Sequence, residues 1–237
     1  MVVDTVIYHP TLTKLITYLN TTAGREKTLR LVQYLVRFLS FHAAQRGLPD
    51  LARLFKSLQG NATFIRKALR FLKPLNHLQD AAKAYDNKLT DSVIRSTVVL
   101  KNLAYVGYLS LDSVAWFKLL GLTSPKTLPK APKWANWFWF IGLVAGLTND
   151  LRKIAITSSK LKSIASEEDA EKEISAEQKS LLAESAKTHK RLVWDSLDFF
   201  IVLNNLGFLH FDEGAIGLAG TFTSIFGVQD IWANTKV

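Results

Sequence analysis

The chain has no cysteine among its 237 residues. That excludes disulfides, thiolate metal sites and cysteine nucleophiles, and it argues against a small secreted scaffold. Proline is scarce, with six in all. Pro125, Pro129 and Pro132 mark one break and Pro49 another. Strand-like alternation is nearly absent, so the expected fold class is all-α. The N-terminal Met1-Val-Val-Asp-Thr has neither a basic stretch nor an apolar core, so no secretory signal is expected. The five histidines are dispersed without metal-ligand spacing. No nucleophile elbow or phosphate loop occurs. Neither enzymatic activity nor a cofactor nor a metal is expected.

Acidic residues are also missing from one long stretch: none lies between Asp50 and Asp80. There Leu51, Leu54, Phe55, Leu58, Ala62, Ile65, Leu69 and Leu72 recur at steps of three and four, the spacing of one helix face. Arg53, Lys56, Arg66, Lys67, Arg70 and Lys73 fall mostly on the other side. Pro49-Asp50 predicts the helix start with Asp50 as N-cap, and Pro74 predicts a kink or a division. A helix that only packs on a core normally mixes charge signs on its wet face. A single-sign basic face suits an anionic surface, either lipid headgroups or nucleic acid. The expected insertion face is Leu51, Leu54, Phe55, Leu58, Ile65, Leu69 and Leu72. The six cations are the expected headgroup ligands, and an anionic phospholipid membrane is the expected partner.

The charge is uneven. Residues 1–90 carry 14 basic and 5 acidic residues, and residues 91–237 carry 16 and 15. This divides the chain into a basic, cytosol-facing amphipathic-helix region (1–90), an apolar helical hairpin (91–153), a charged connector (154–188) and a second apolar hairpin (189–237). A second helix, from about Arg25 to Arg46, would set Leu31, Val32, Leu35, Phe38, Leu39 and His42 on one face. Residues 134–149 and 214–229 contain no charge. The six tryptophans, Trp116, Trp134, Trp137, Trp139, Trp194 and Trp232, lie near the ends of the apolar segments, close to cations. Indole and lysine favour the headgroup layer, which makes these residues expected interfacial anchors. The composite expectation is N-terminal amphipathic helices followed by a bundle of about four apolar membrane-associated helices. Four spans with a turn at His210–Gly214, or two spans, would fit it. Nucleic acid is not expected as a partner, because a soluble basic binder leaves the uncharged runs and the tryptophans unexplained.

Gly142 and Gly146 form a Gly-x-x-x-Gly pair, and Gly217, Gly220 and Ser224 belong to a small-residue strip. Small residues let helix backbones approach closely, so these are expected helix-packing and homo-oligomerisation positions. Ser163 and Ser166 precede Glu167-Glu168-Asp169 and are candidate phosphorylation sites.

Several blocks stand out together: Tyr8-His-Pro, Ala23-Gly-Arg-Glu-Lys27, Arg66-Lys-Ala-Leu-Arg-Phe-Leu-Lys-Pro-Leu-Asn-His-Leu-Gln79, Tyr85-Asp-Asn-Lys88, Asp150-Leu-Arg-Lys153, Ile201-Val-Leu-Asn-Asn-Leu-Gly207 and Gln229-Asp-Ile-Trp232. With these blocks the chain resembles the peroxin-11 family, and most closely its fungal members. The resemblance spans the chain and is weakest at 154–188. It implies a self-associating peroxisomal membrane protein whose amphipathic helix, on residues 51–73 here, bends and elongates the membrane before division. It also implies contact with a fission machinery of a dynamin-related GTPase and its tail-anchored adaptor. Its runner-up implication is a channel for small metabolites, for which Asn102, Asn204 and Asn205 are the available polar positions.

Overall fold

The computed structural model describes residue 5, residues 7–167 and residues 176–236, without the side chains of 165–167. Among the described residues it has eight helices: α1 (Pro10–Asn20), α2 (Thr22–Gln45), α3 (Pro49–Leu69), α4 (Lys73–Asp86), α5 (Ser92–Leu119), α6 (Ala131–Glu167), α7 (Ala176–Leu206) and α8 (Glu213–Asn234). They fall into two compact units. The first holds Met1–Phe71, Asp112–Ala131 and Leu203–Val237; the second holds Leu72–Leu111 and Pro132–Val202.

In the first unit α2 is the central element. Thr21 caps it, its hydroxyl accepting from Gly24 N at 2.9 Å. α1 leans on it through Tyr18, whose phenol lies 3.0 Å from the Thr28 hydroxyl. α3 runs antiparallel along one flank of α2: the Ser40 hydroxyl donates to Ala52 O, while Glu26 and Gln33 meet Arg66. α8 occupies another flank. Gly214, Gly217 and Gly220 sit so close to Phe41, Phe38 and Tyr34 of α2 that a Cβ at any of them would clash. Arg30 donates to the buried Thr223 hydroxyl at 3.0 Å, and Arg37 forms a two-point ion pair with Glu213.

In the second unit α5 and α6 form an antiparallel pair. Asn149 donates to Ile94 O and the Thr97 hydroxyl at one end, and Trp139 stacks on Tyr108 further along. Leu143, Ile201 and Val202 are fully buried, and Phe140 stacks on Phe199 of α7. A charge cluster crosses this core. Asp195 accepts from Lys101 at 2.7 Å and from Arg191 at 3.0 Å, and it is 1% exposed.

The expected set of apolar membrane helices is corrected here. Among the described residues no helix is long and apolar enough to cross a membrane. The reason is the placement of charge. The uncharged run of α6 ends at Asp150, with Arg152 and Lys153 directly after it, and α5 carries Arg95, Lys101, Asp112 and Lys118. α7 carries Arg191, Asp195 and Asp198 inside its apolar stretch. Several of these charges are matched to protein partners: Asp195 to Lys101 and Arg191, Asp112 to Lys67 and Arg70, and Arg152 to Asp91. Burial of charge is tolerated when it is paired and hydrogen-bonded.

The helix start and break also differ in detail. Leu48 is the N-cap of α3, Pro49 opens it, and Asp50 pairs with Arg53 in the first turn. The break before Pro74 comes at residues 70–72, where Leu72 has φ 62° and lies in the left-handed region.

Candidate membrane-contact face

α3 touches the rest of its unit with only part of its circumference. Ala62 and Arg66 are buried and face α2. Lys67 and Arg70 reach the other way, to a shared carboxylate, Asp112. Leu51, Leu54, Leu58 and Ile65 lie on the third side and stay 40–55% exposed. Phe55 and Leu69 are half-buried. The leucine stripe is therefore turned about a quarter of a turn away from the packed face, given about 100° per residue. A stripe that served only to dock α3 on its neighbour would point at α2 and be buried.

The expected headgroup cations separate into two groups. Arg53 and Lys56 are exposed, Arg53 in an open pair with Asp50 at 2.8 Å. Arg66 is 6% exposed and holds Glu26 at 2.6 Å, with Gln33 accepting a further bond. Burial alone would push the Glu26 carboxyl up, but Arg66, with Lys27 and Arg70, more than offsets it and holds the group well below the usual carboxylate range. Arg66 thus fastens α3 to α2. Glu26 is a partner that periodicity and charge pattern did not single out, although it is the lone acid between Asp4 and Asp50. Leu72 and Lys73 belong to the second unit, Leu72 exposed and Lys73 half-buried.

The small-residue positions are packed within each unit. Gly217 and Gly220 lie against α2, and Ser224 is fully buried with its hydroxyl on Gly220 O. Gly142 rests on Ala104 and Tyr105, and Gly146 lies beside the Lys101–Asp195 pair.

The tryptophans have varied surroundings. Trp134 is 56% exposed. Trp139 and Trp194 are buried, the latter donating to Asp198 at 3.2 Å under the Arg191 guanidinium. Trp116 meets Phe71 and Phe117, Trp137 meets Phe140, and Trp232 meets Tyr18 and Lys14. Ser163 is exposed, with its hydroxyl donating to Lys160 O at 2.9 Å; the Ser166 side chain lies outside the described residues.

A Peroxisomal biogenesis factor 11 (PEX11) family model matches residues 12–232. Peroxisomal membrane protein PMP27 of Saccharomyces cerevisiae is 43% identical over 99% of this chain and 100% of its own length. Peroxisomal membrane protein PMP30A of Candida boidinii is 39% identical over the full length of both chains. Peroxisomal membrane protein 11A of Homo sapiens is 28% identical over 89% of this chain and 92% of its own. No solved structure matches the chain. Spanning nearly its whole length, these matches show that the chain belongs to the peroxisomal biogenesis factor 11 family, non-catalytic peroxisomal membrane proteins that remodel and elongate that membrane in division and proliferation.

Proposed function

We propose that this chain remodels the peroxisomal membrane by laying the leucine face of α3 into one leaflet. The observation that carries the reading is the exposure of Leu51, Leu54, Leu58 and Ile65 on a helix that is anchored elsewhere, by Arg66 on Glu26 and by Lys67 and Arg70 on Asp112. Each leucine moved from water into the acyl layer contributes on the order of 1 kcal/mol, since about half of its surface is already covered. Arg53 and Lys56 each add about 1 kcal/mol near an anionic surface. Area added to one leaflet bends it. A basic first region suits the negatively charged cytosolic leaflet, which supports an N-terminus facing the cytosol. Self-association would concentrate the wedges and make bending cooperative. Contact with a dynamin-related GTPase and its tail-anchored adaptor would follow at the elongated membrane.

The test uses the full chain with phosphatidylcholine vesicles containing phosphatidylserine. Wild type should bind and tubulate them. Leu54→Glu with Leu58→Glu should lose both while keeping its helix content by circular dichroism. Equal tubulation by that variant would remove α3 as the wedge.

A further inference from the structure

The leucine row of α3 does not stand alone. On α2, Glu26, Gln33 and Ser40 recur every seven residues and meet α3. Arg30, Arg37, Tyr34, Phe38 and Phe41 face α8. What remains is a third row, Val32, Leu35 and Leu39, of which Val32 and Leu35 are about 40% exposed. Two right-handed helices running antiparallel present mirrored flanks at their contact. On α2 the residues on one side of that contact reach α8, and on α3 the residues on the corresponding side reach Asp112. The opposite flanks are the Val32–Leu35 row and the Leu51–Leu54–Leu58–Ile65 row. Helix geometry therefore sets both rows on the same side of the hairpin.

We infer that the lipid-contact surface is the two-helix outer face of the α2–α3 hairpin, with Val32 and Leu35 entering the acyl layer of an anionic bilayer beside Leu54 and Leu58. This rests on the proposed role of α3 and widens it. Charge names the occupant. From Thr22 to Leu69 there are nine Lys and Arg and two acids, Glu26 and Asp50. Glu26 is buried against Arg66, so the outer face meets headgroups with almost no opposing charge. Arg25, Arg46 and Arg53 are exposed near the ends of the hairpin. The hairpin enters as one body, because freeing α3 would strand Glu26 and Arg66 without each other.

Binding of the full chain to phosphatidylserine-containing vesicles tests this. Val32→Glu with Leu35→Glu should lower affinity about tenfold, a loss of about 1.4 kcal/mol. Both sites are exposed, so the melting temperature should hold. Wild-type binding by this pair, with binding lost in Leu54→Glu/Leu58→Glu, would overturn the two-helix surface and leave α3 acting alone. Wild-type binding by both pairs would overturn both readings. A second readout does not depend on fold stability. The chain lacks cysteine, so Val32→Cys carries a single environment-sensitive dye. Its emission should shift to the blue on adding vesicles, and an unchanged spectrum overturns the proposal.

Discussion

Arg66 and Asp150 are two charges that their surroundings treat in opposite ways. Arg66 has Glu26 and Gln33 around its guanidinium, so its burial is compensated. Asp150 is 5% exposed, and its Oδ2 has no hydrogen-bond partner. Burial, helped by the nearby Asp195 charge, raises the Asp150 pKa to about 6, although Lys101, Arg191 and Lys153 pull the other way. The sign follows from linkage. The folded state binds a proton more tightly than the unfolded state, whose carboxyl has a pKa near 3.8. Asp150 therefore lowers stability above about pH 6, and that penalty fades as the pH falls from there towards 3.8. Asp150→Asn should melt higher than wild type at neutral pH, by on the order of 1–2 kcal/mol, and the gain should shrink near pH 4. Thermal melts across that range check it. A variant less stable at every pH would mean that the ionised form is structurally required.

At the scale of elements, α8 shows how a composition signal acquires a specific partner. Its glycines would weaken a helix in water by about 1 kcal/mol each relative to alanine. They are retained in contact with α2, where Gly220 lies under the Tyr34 ring and Gly217 against the Phe38 backbone. Gly220→Ala should destabilise the fold by about 1–3 kcal/mol despite its better helix propensity, because the ring must move. Urea unfolding measures this, and a stabilised variant would show that the contact is slack. The small-residue strip was legible in the sequence, but its partner was not. The spacing of Gly214, Gly217 and Gly220 says that something approaches closely; Phe41, Phe38 and Tyr34 are almost two hundred residues away in the chain. The stripe on α3 was legible for a similar reason, since period and polarity are local. The helix break at Leu72 was less so, because a leucine at φ 62° has no signature in its own residue type.

At the scale of the molecule, the charge is divided between the units. The first unit has 15 Lys and Arg against 7 Asp and Glu, and the second has 15 against 13. The excess is thus eight in the unit that carries α3 and two in the other. If attraction to anionic lipid starts the encounter, raising salt from about 0.05 M to about 0.5 M should cut vesicle binding several-fold, since the screening length falls below about 5 Å. The part that survives measures apolar insertion. Binding unaffected by salt would show that the basic unit contributes no long-range attraction.

Local chemistry let the sequence by itself determine that the chain is helical, that α3 separates leucine from cations, and that the first region is basic. Each of these depends on residues within a few turns of one another. Tertiary structure alone decided what those charges and faces are used for. It buried Arg66 on Glu26, gathered Lys101, Arg191 and Asp195 into a core that reads as apolar segment by segment, and turned the α3 leucines outward. It also left Val32 and Leu35, on a face that α2 by itself presents as an ordinary core face, about 40% exposed. The physical reason is that burial belongs to the pairing of elements. A helix sequence states which side is apolar, and only its neighbours determine whether that side meets protein or is left for lipid.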